Sequence, residues 1–162
     1  MGIAERVDLS PILEAVMGKI EMVIDSVRVA LIDYQRAVIL KEKAGERYLP
    51  MWIGTDVADA LAIELQNVRV SGMLPCDFVL SIINKLGAVL KYVIVYELKG
   101  ETYRAKAILE REGRIEVDCR PSDAFAVAIR ADAPIFVTEE ILMKSGITVN
   151  ELGKLDKGKD ES

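Results

Sequence analysis

Val117-Asp118-Cys119-Arg120-Pro121-Ser122-Asp123-Ala124-Phe125-Ala126-Val127-Ala128-Ile129-Arg130 reads as a strand that turns at Arg120-Pro121 and continues as a helix. Proline suits a first helical position, because its missing N–H would be unpaired there in any case. Asp123 falls near the third helical position, where a carboxylate accepts bonds from free N–H groups and complements the helix dipole. Ala124, Val127, Ala128 and Ala131 recur at helical spacing and predict a small-residue face that packs closely. The corner therefore crowds Asp118, Arg120, Ser122 and Asp123 around a helix N-terminus.

Working outward, Ile115 to Cys119 is preceded by Thr102-Tyr103-Arg104-Ala105-Lys106-Ala107-Ile108-Leu109, with Gly113 in the turn between them. Tyr103, Ala105, Ala107 and Leu109 share one face and Arg104 and Lys106 the other. Matching the apolar faces of the two strands requires an odd-length turn or a bulge, since a one-residue slip reverses every side chain. Arg104, Lys106, Glu116 and Asp118 then share a polar face leading to Arg120. Val89 to Leu98, apolar on both faces except at Lys91 and Glu97, reads as a central, covered strand.

Towards the N-terminus, Ile20 to Ile32, Ala37 to Leu40 and Tyr48 to Gly54 are joined by short polar turns and predict an antiparallel meander. Thr55 and Asp56 open a helix carrying Leu61 and Leu65, and a second helix with Phe78, Ile82 and Leu86 ends at Gly87. Pro134 to Val137 is a short buried strand, and Thr138-Glu139-Glu140 starts a last helix that ends near Gly146. The expected fold class is α+β: a mostly antiparallel sheet with four to five helices in a single domain. That domain covers residues 20–147, after an N-terminal extension over 1–19 that forms a short helix with Leu9, Ile12, Leu13, Val16 and Met17. Residues 148–162 are expected to be a charged, disordered tail.

The 162 residues are 51% hydrophobic with a net charge of −5, which disfavours nucleic-acid binding driven by total charge. A local basic stretch from Lys85 to Arg130 is interleaved with glutamates, and cross-strand ion pairs are the simpler account of it. No apolar run is long enough to span a membrane. The first residues lack the basic-then-apolar pattern of a signal peptide, so the expected compartment is the cytoplasm. With no histidine, and Cys76 and Cys119 far apart, nothing signals zinc, haem or a nucleotide cofactor. Trp52 reads as a core or interface residue rather than a base-stacking platform.

Leu49-Pro50-Met51-Trp52-Ile53-Gly54, Thr102-Tyr103-Arg104-Ala105, Arg120-Pro121-Ser122-Asp123-Ala124 and Ala133-Pro134-Ile135-Phe136-Val137 stand in the order and approximate spacing of one family. Over roughly Glu21 to Gly146 the chain resembles the bifunctional nuclease domain family. The resemblance implies an α+β domain of unusual topology that self-associates, with a dimer favoured, and some plant members are described as nucleases acting on both RNA and DNA. Two departures stand out. The family's Glu-Ala after the Ile-Gly strand is here Val57-Ala58, and its Arg-Pro-Leu-Thr-His-Asp is Gly72-Met73-Leu74-Pro75-Cys76-Asp77, which keeps only the aspartate.

The function expected from the resemblance is a divalent-metal-dependent nuclease that hydrolyses phosphodiester bonds. Such chemistry calls for carboxylates to hold the metal and positive charge to stabilise the transition state. Asp118, Arg120, Ser122 and Asp123 are the candidate catalytic residues. Arg120, Ser122, Arg104 and Lys106 are candidates for binding phosphate, and Asp77, Asp118 and Asp123 for binding Mg2+ or Mn2+. Each has a structural alternative: helix capping for Asp77 and Asp123, and a salt bridge to Asp118 or Asp123 for Arg120. The competing function is a non-catalytic module, a self-associating scaffold or a small-anion binder, that keeps the fold without the family's Glu, Arg and His.

Overall fold

Strands form where β-branched and aromatic residues alternate, and seven of them pair into one sheet. The computed structural model describes residues 18–30, 33–66 and 74–156, and the expected N-terminal helix lies outside them apart from its last two positions. The strands are β1 (Lys19–Val29), β2 (Arg36–Glu42), β3 (Tyr48–Ile53), β4 (Val89–Lys99), β5 (Thr102–Glu110), β6 (Arg114–Cys119) and β7 (Ile135–Thr138). The described helices are α1 (Thr55–Leu65), α2 (Pro75–Lys85), α3 (Pro121–Ala131), α4 (Glu139–Ser145) and α5 (Val149–Asp156). The sheet order is β3-β2-β1-β7-β4-β5-β6, antiparallel throughout except for the parallel β7–β4 pair. The α+β, mostly antiparallel fold is as expected. No helix among the described residues is long and apolar enough to cross a membrane.

The short β7 joins two meanders into one sheet, pairing with β1 on one side and β4 on the other. Its position places α3, the helix of the corner, against one face of the sheet between α1 and α2. Ala124, Phe125, Ala126, Val127 and Ala128 are all buried, and the run of alanines lets the helix approach the strands closely. Met22, Val38, Leu40, Val93, Val95 and Leu109 meet it from the sheet.

The β5–β6 hairpin closes through the three residues Arg111, Glu112 and Gly113, an odd-length turn with Glu112 and Gly113 at positive φ. Ala107 consequently faces Val117 and Lys106 faces Asp118, so the polar face runs as the alternation predicts. Register irregularities at Ile24/Ser26, Leu90/Tyr92 and Val95/Glu97 add twist to the sheet. By register, the tip of the β4–β5 hairpin and the β2–β3 ends at Arg36 and Ile53 lie at opposite corners. Coiling brings them together, with Ile53, Leu98 and Tyr103 packed against the same core.

The tail requires a correction. Val149–Asp156, expected to be disordered, is the helix α5, and Leu152 is buried against Ala37 and Ile39 on the face of the sheet opposite α3. Thr148 and Glu151 open it reciprocally: the Glu151 N–H donates to Thr148 Oγ1 at 3.3 Å, and that hydroxyl donates to Glu151 Oε1 at 3.2 Å. Residues 157–162 lie outside the described residues. At α1 the first turn is also shifted, with Gly54 rather than Thr55 at the N-cap and no side-chain cap.

Candidate active site at the start of α3

The corner forms as its residues dictate. Arg120 is the extended N-cap of α3, Pro121 is the first helical residue and Asp123 the third. The Arg120 guanidinium grips the Asp123 carboxylate with both arms, Nε to Oδ2 at 2.7 Å and Nη2 to Oδ1 at 3.3 Å. Their side chains are 72% and 49% exposed, so the pair sits in solvent. An exposed ion pair contributes little to stability, and its guanidinium is available for exchange onto another oxyanion. Ser122, by contrast, is only 6% exposed, so its hydroxyl is not an open donor beside Arg120. Cys119 lies half-buried behind the corner, and burial pushes its thiol up to about 11.

Asp118 points to the other face of the sheet, where its Oδ1 accepts the Tyr96 hydroxyl at 3.0 Å. Burial, and then the bond to Asp118, raise the Tyr96 phenol to about 12, so it remains a donor at neutral pH. Arg104 and Lys106 share this face and are each held by a glutamate, Arg104 by Glu97 at 3.2 Å and Lys106 by Glu116 at 3.4 Å. The Lys106 ammonium also lies 4.5 Å from the Tyr96 ring centroid. The β5–β6 pairing ends at Ala105 and Cys119, next in the chain to Arg104 and to Arg120. Arg104, Lys106 and Asp118 therefore share one face of the sheet, and Arg120 follows at the end of β6.

Asp77 is elsewhere. It closes the first turn of α2, accepting the Leu74 N–H at 3.0 Å. Arg130, near the end of α3, grips it through Nε and, at 3.0 Å, through Nη2, and reaches Glu64 of α1 at 3.1 Å. The Arg130 hydrogen bond holds the Asp77 carboxyl below its usual range. Glu64–Arg130–Asp77 thus ties the three packed helices together. An open depression of about 500 Å3 beside it is lined by Ser81, Asn84 and Lys85.

The expected metal cage of Asp77, Asp118 and Asp123 is not assembled. Among the described residues no group of three or more Asp, Glu, Cys or His side chains is arranged to hold a metal ion. The reason is geometric: α3 separates the two ends where its aspartate partners sit, so Asp77 pairs with Arg130 at its C-terminal end and Asp123 with Arg120 at its start. Sequence reasoning also missed Tyr96 and Arg130. Tyr92, Ile94 and Tyr96 stand at strand spacing, which was the available signal for a tyrosine-bearing face. The Arg130 contacts depend on chain segments too distant for any spacing rule.

Comparison with known proteins places residues 38–150 within the model of the bifunctional nuclease domain. An uncharacterized protein of Mycobacterium tuberculosis is 38% identical over 133 residues, which cover 82% of this chain and 79% of that one. Bifunctional nuclease 1 of Arabidopsis thaliana is 28% identical over 124 residues, covering 74% of this chain and 38% of the plant protein. Bifunctional nuclease 2 of Oryza sativa subsp. japonica is 30% identical over 118 residues, covering 70% of this chain and 36% of the rice protein. The chain thus spans little more than a third of the plant proteins it matches.

Proposed function

The chain belongs to the bifunctional nuclease domain family, and on that premise we propose that it is a nuclease that hydrolyses phosphodiester bonds of RNA, DNA or both at the start of α3. The observation that carries the reading is the exposed, two-armed Arg120–Asp123 pair at a helix N-terminus. An incoming phosphate competes with Asp123 for the guanidinium at the positive end of the helix dipole. The carboxylate released by that exchange is then the proton acceptor nearest the phosphorus. Water loses a proton to Asp123 and attacks phosphorus, and the P–O ester bond breaks with the departing oxygen protonated from solvent. Lys106 and Arg104 extend the positive surface along β5 for neighbouring phosphates, and Tyr96 holds Asp118 beside them. No step is assigned to a metal ion, because Asp77, Asp118 and Asp123 do not form a cage.

The test is incubation of the full chain with labelled single-stranded RNA and DNA, in parallel with Mg2+, with Mn2+ and with a chelator. Cleavage of at least one substrate is expected, and the chelator arm reads the metal requirement directly. Cleavage by the Arg120→Ala, Asp123→Asn double variant at the wild-type rate would remove the site.

A second reading, a self-associating module, is favoured by the outer face of α2, where Phe78, Val79, Ile82 and Leu86 are exposed at helical spacing. Ile115 and Val117, exposed on the edge strand β6, point to the same side of the sheet, since they pair with Leu109 and Ala107 of the core face. We expect a dimer, with light scattering at micromolar concentration returning twice the 17.9 kDa chain mass. Phe78→Glu with Ile82→Glu should shift it to monomer. A monomeric wild type would end this reading. Two unpaired cysteines fit a reducing compartment, and we infer a cytoplasmic location on that ground.

A further inference from the structure

Two of the stretches that carry the family resemblance, Leu49–Gly54 and Thr102–Ala105, are distant in sequence and in sheet order, yet their residues line one cleft of about 720 Å3. Trp52, Ile53 and Tyr103 supply apolar walls, while Gln35, Arg36 and Glu101 supply polar groups. Apolar walls with a few placed polar groups are the usual make-up of a site for a small flat ligand. Trp52 is the chain's single tryptophan and is 63% exposed, which rules out the core half of the core-or-interface reading. Arg36 is held in place by Asp59, at 3.6 Å, and by the Tyr34 carbonyl.

We propose that this cleft binds an unpaired base of a single-stranded nucleic acid, with a preference for bases that carry an exocyclic amino group. This rests on the nucleic-acid reading above and adds a subsite to it. Asp59 offsets the charge of Arg36, which leaves Glu101 to decide which part of the nucleotide enters. A carboxylate at Glu101 repels phosphate but accepts an N–H from adenine, cytosine or guanine, and Gln35 offers both a donor and an acceptor. Uracil and thymine have no amino group and offer Glu101 only the single ring N3–H, flanked by two carbonyl oxygens that a carboxylate repels. The Trp52 indole provides the stacking surface, which tolerates any base. Tyr103 of the cleft wall lies on β5 two residues from Ala105, the partner of Cys119, so the cleft stands at the end of the β5–β6 pair that leads to Arg120.

A lone tryptophan makes the test direct. Under chelating conditions the full chain is titrated with oligodeoxycytidine and with oligothymidine of about eight nucleotides. Trp52 emission and the anisotropy of a label on the oligonucleotide are read together. Saturable quenching is expected, tighter for deoxycytidine. Trp52→Ala should weaken binding about tenfold or more, Trp52→Phe should recover most of it, and Glu101→Ala should equalise the two oligonucleotides. Anisotropy reporting binding while Trp52 emission stays constant would overturn the cleft and leave the nuclease reading standing. Quenching and the deoxycytidine preference without cleavage in the earlier assay would support the cleft and count against catalysis. Emission that changes with protein concentration alone would assign Trp52 to an interface between copies and overturn the proposal. Neither binding nor cleavage would remove both.

Discussion

Replacing Arg47 with methionine is expected to lower the unfolding free energy by about 2–3 kcal/mol at neutral pH, measured by urea denaturation. Arg47 stands between Glu42 of β2 and Glu139 of α4, donating to Glu42 Oε1 at 2.8 Å and to Glu139 at 2.9 and 3.2 Å. Its own N–H donates to Glu42 Oε2 at 2.9 Å. The Glu42 side chain is only 11% exposed, so removing the guanidinium strands a carboxylate with little water. Breaking a fully buried pair costs about 3–5 kcal/mol, and the lower figure here allows for an Arg47 side chain that is 37% exposed. The Arg47 hydrogen bond, the largest influence, holds the Glu42 carboxyl below its ordinary value of 4.5. A depressed carboxylate stabilises the folded state above its unfolded value, and that stability is lost as pH falls through the folded value. In the variant the residue-47 N–H still bonds the carboxylate, but without the guanidinium burial weighs more heavily and the folded value rises relative to wild type, so protonation comes earlier on acidification. The difference between wild type and variant should therefore shrink as pH falls from the variant's folded value towards the lower wild-type one. A difference that stays constant with pH would show that Glu42 is not the group affected. Glu42→Gln in the Arg47→Met background should recover part of the loss.

That network also marks where sequence reading ends. The alternation in β5 and β6 and the need for an odd turn follow from local periodicity, and the hairpin obeys both. Arg120-Pro121 as a strand–helix corner is equally local, because proline's fixed φ and missing N–H act on the residue itself. Tail residues Thr148 and Glu151 carried a legible capping-box spacing, with Val149, Leu152 and Leu155 at helical intervals behind it. Charged residues on the solvent face of α5 masked that signal. The place of β7 between β1 and β4 was not legible, since four residues of strand specify no partner. Arg47–Glu139 and Arg130–Asp77 join residues 92 and 53 positions apart, and the cleft at Trp52 exists only because the sheet coils. Candidate residues could be named from sequence, but their grouping could not. Asp77, Asp118 and Asp123 were placed together by residue type, whereas the fold gives each its own partner: Arg130, Tyr96 and Arg120.

Arg120→Ala is expected to reduce cleavage about 100-fold or more in kcat/KM while leaving urea stability nearly unchanged. The two readouts separate the roles this arginine could have. If its task were to fix the start of α3, loss of the Asp123 partner would appear as a stability change. Yet Pro121 already sets the first helical φ, and the Ala124 N–H closes the first turn onto the Arg120 carbonyl at 3.0 Å, a bond that any residue at 120 makes. The exposed ion pair adds little to this. If its task is to hold a phosphate, its loss removes positive charge where negative charge develops, and cleavage falls without loss of fold. Arg120→Lys keeps the charge but not the two-armed geometry and should fall between the two. Asp123→Asn adds a further discrimination. It frees Arg120 from its internal partner while removing the proton acceptor, so substrate should bind at least as tightly even as turnover is lost. A variant that instead bound weakly and cleaved at full rate would mean that Asp123 orients the guanidinium and accepts no proton. The corner would then remain a phosphate site, with the proton acceptor to be sought among the neighbouring carboxylates, beginning with Asp118 beneath the Tyr96 hydroxyl.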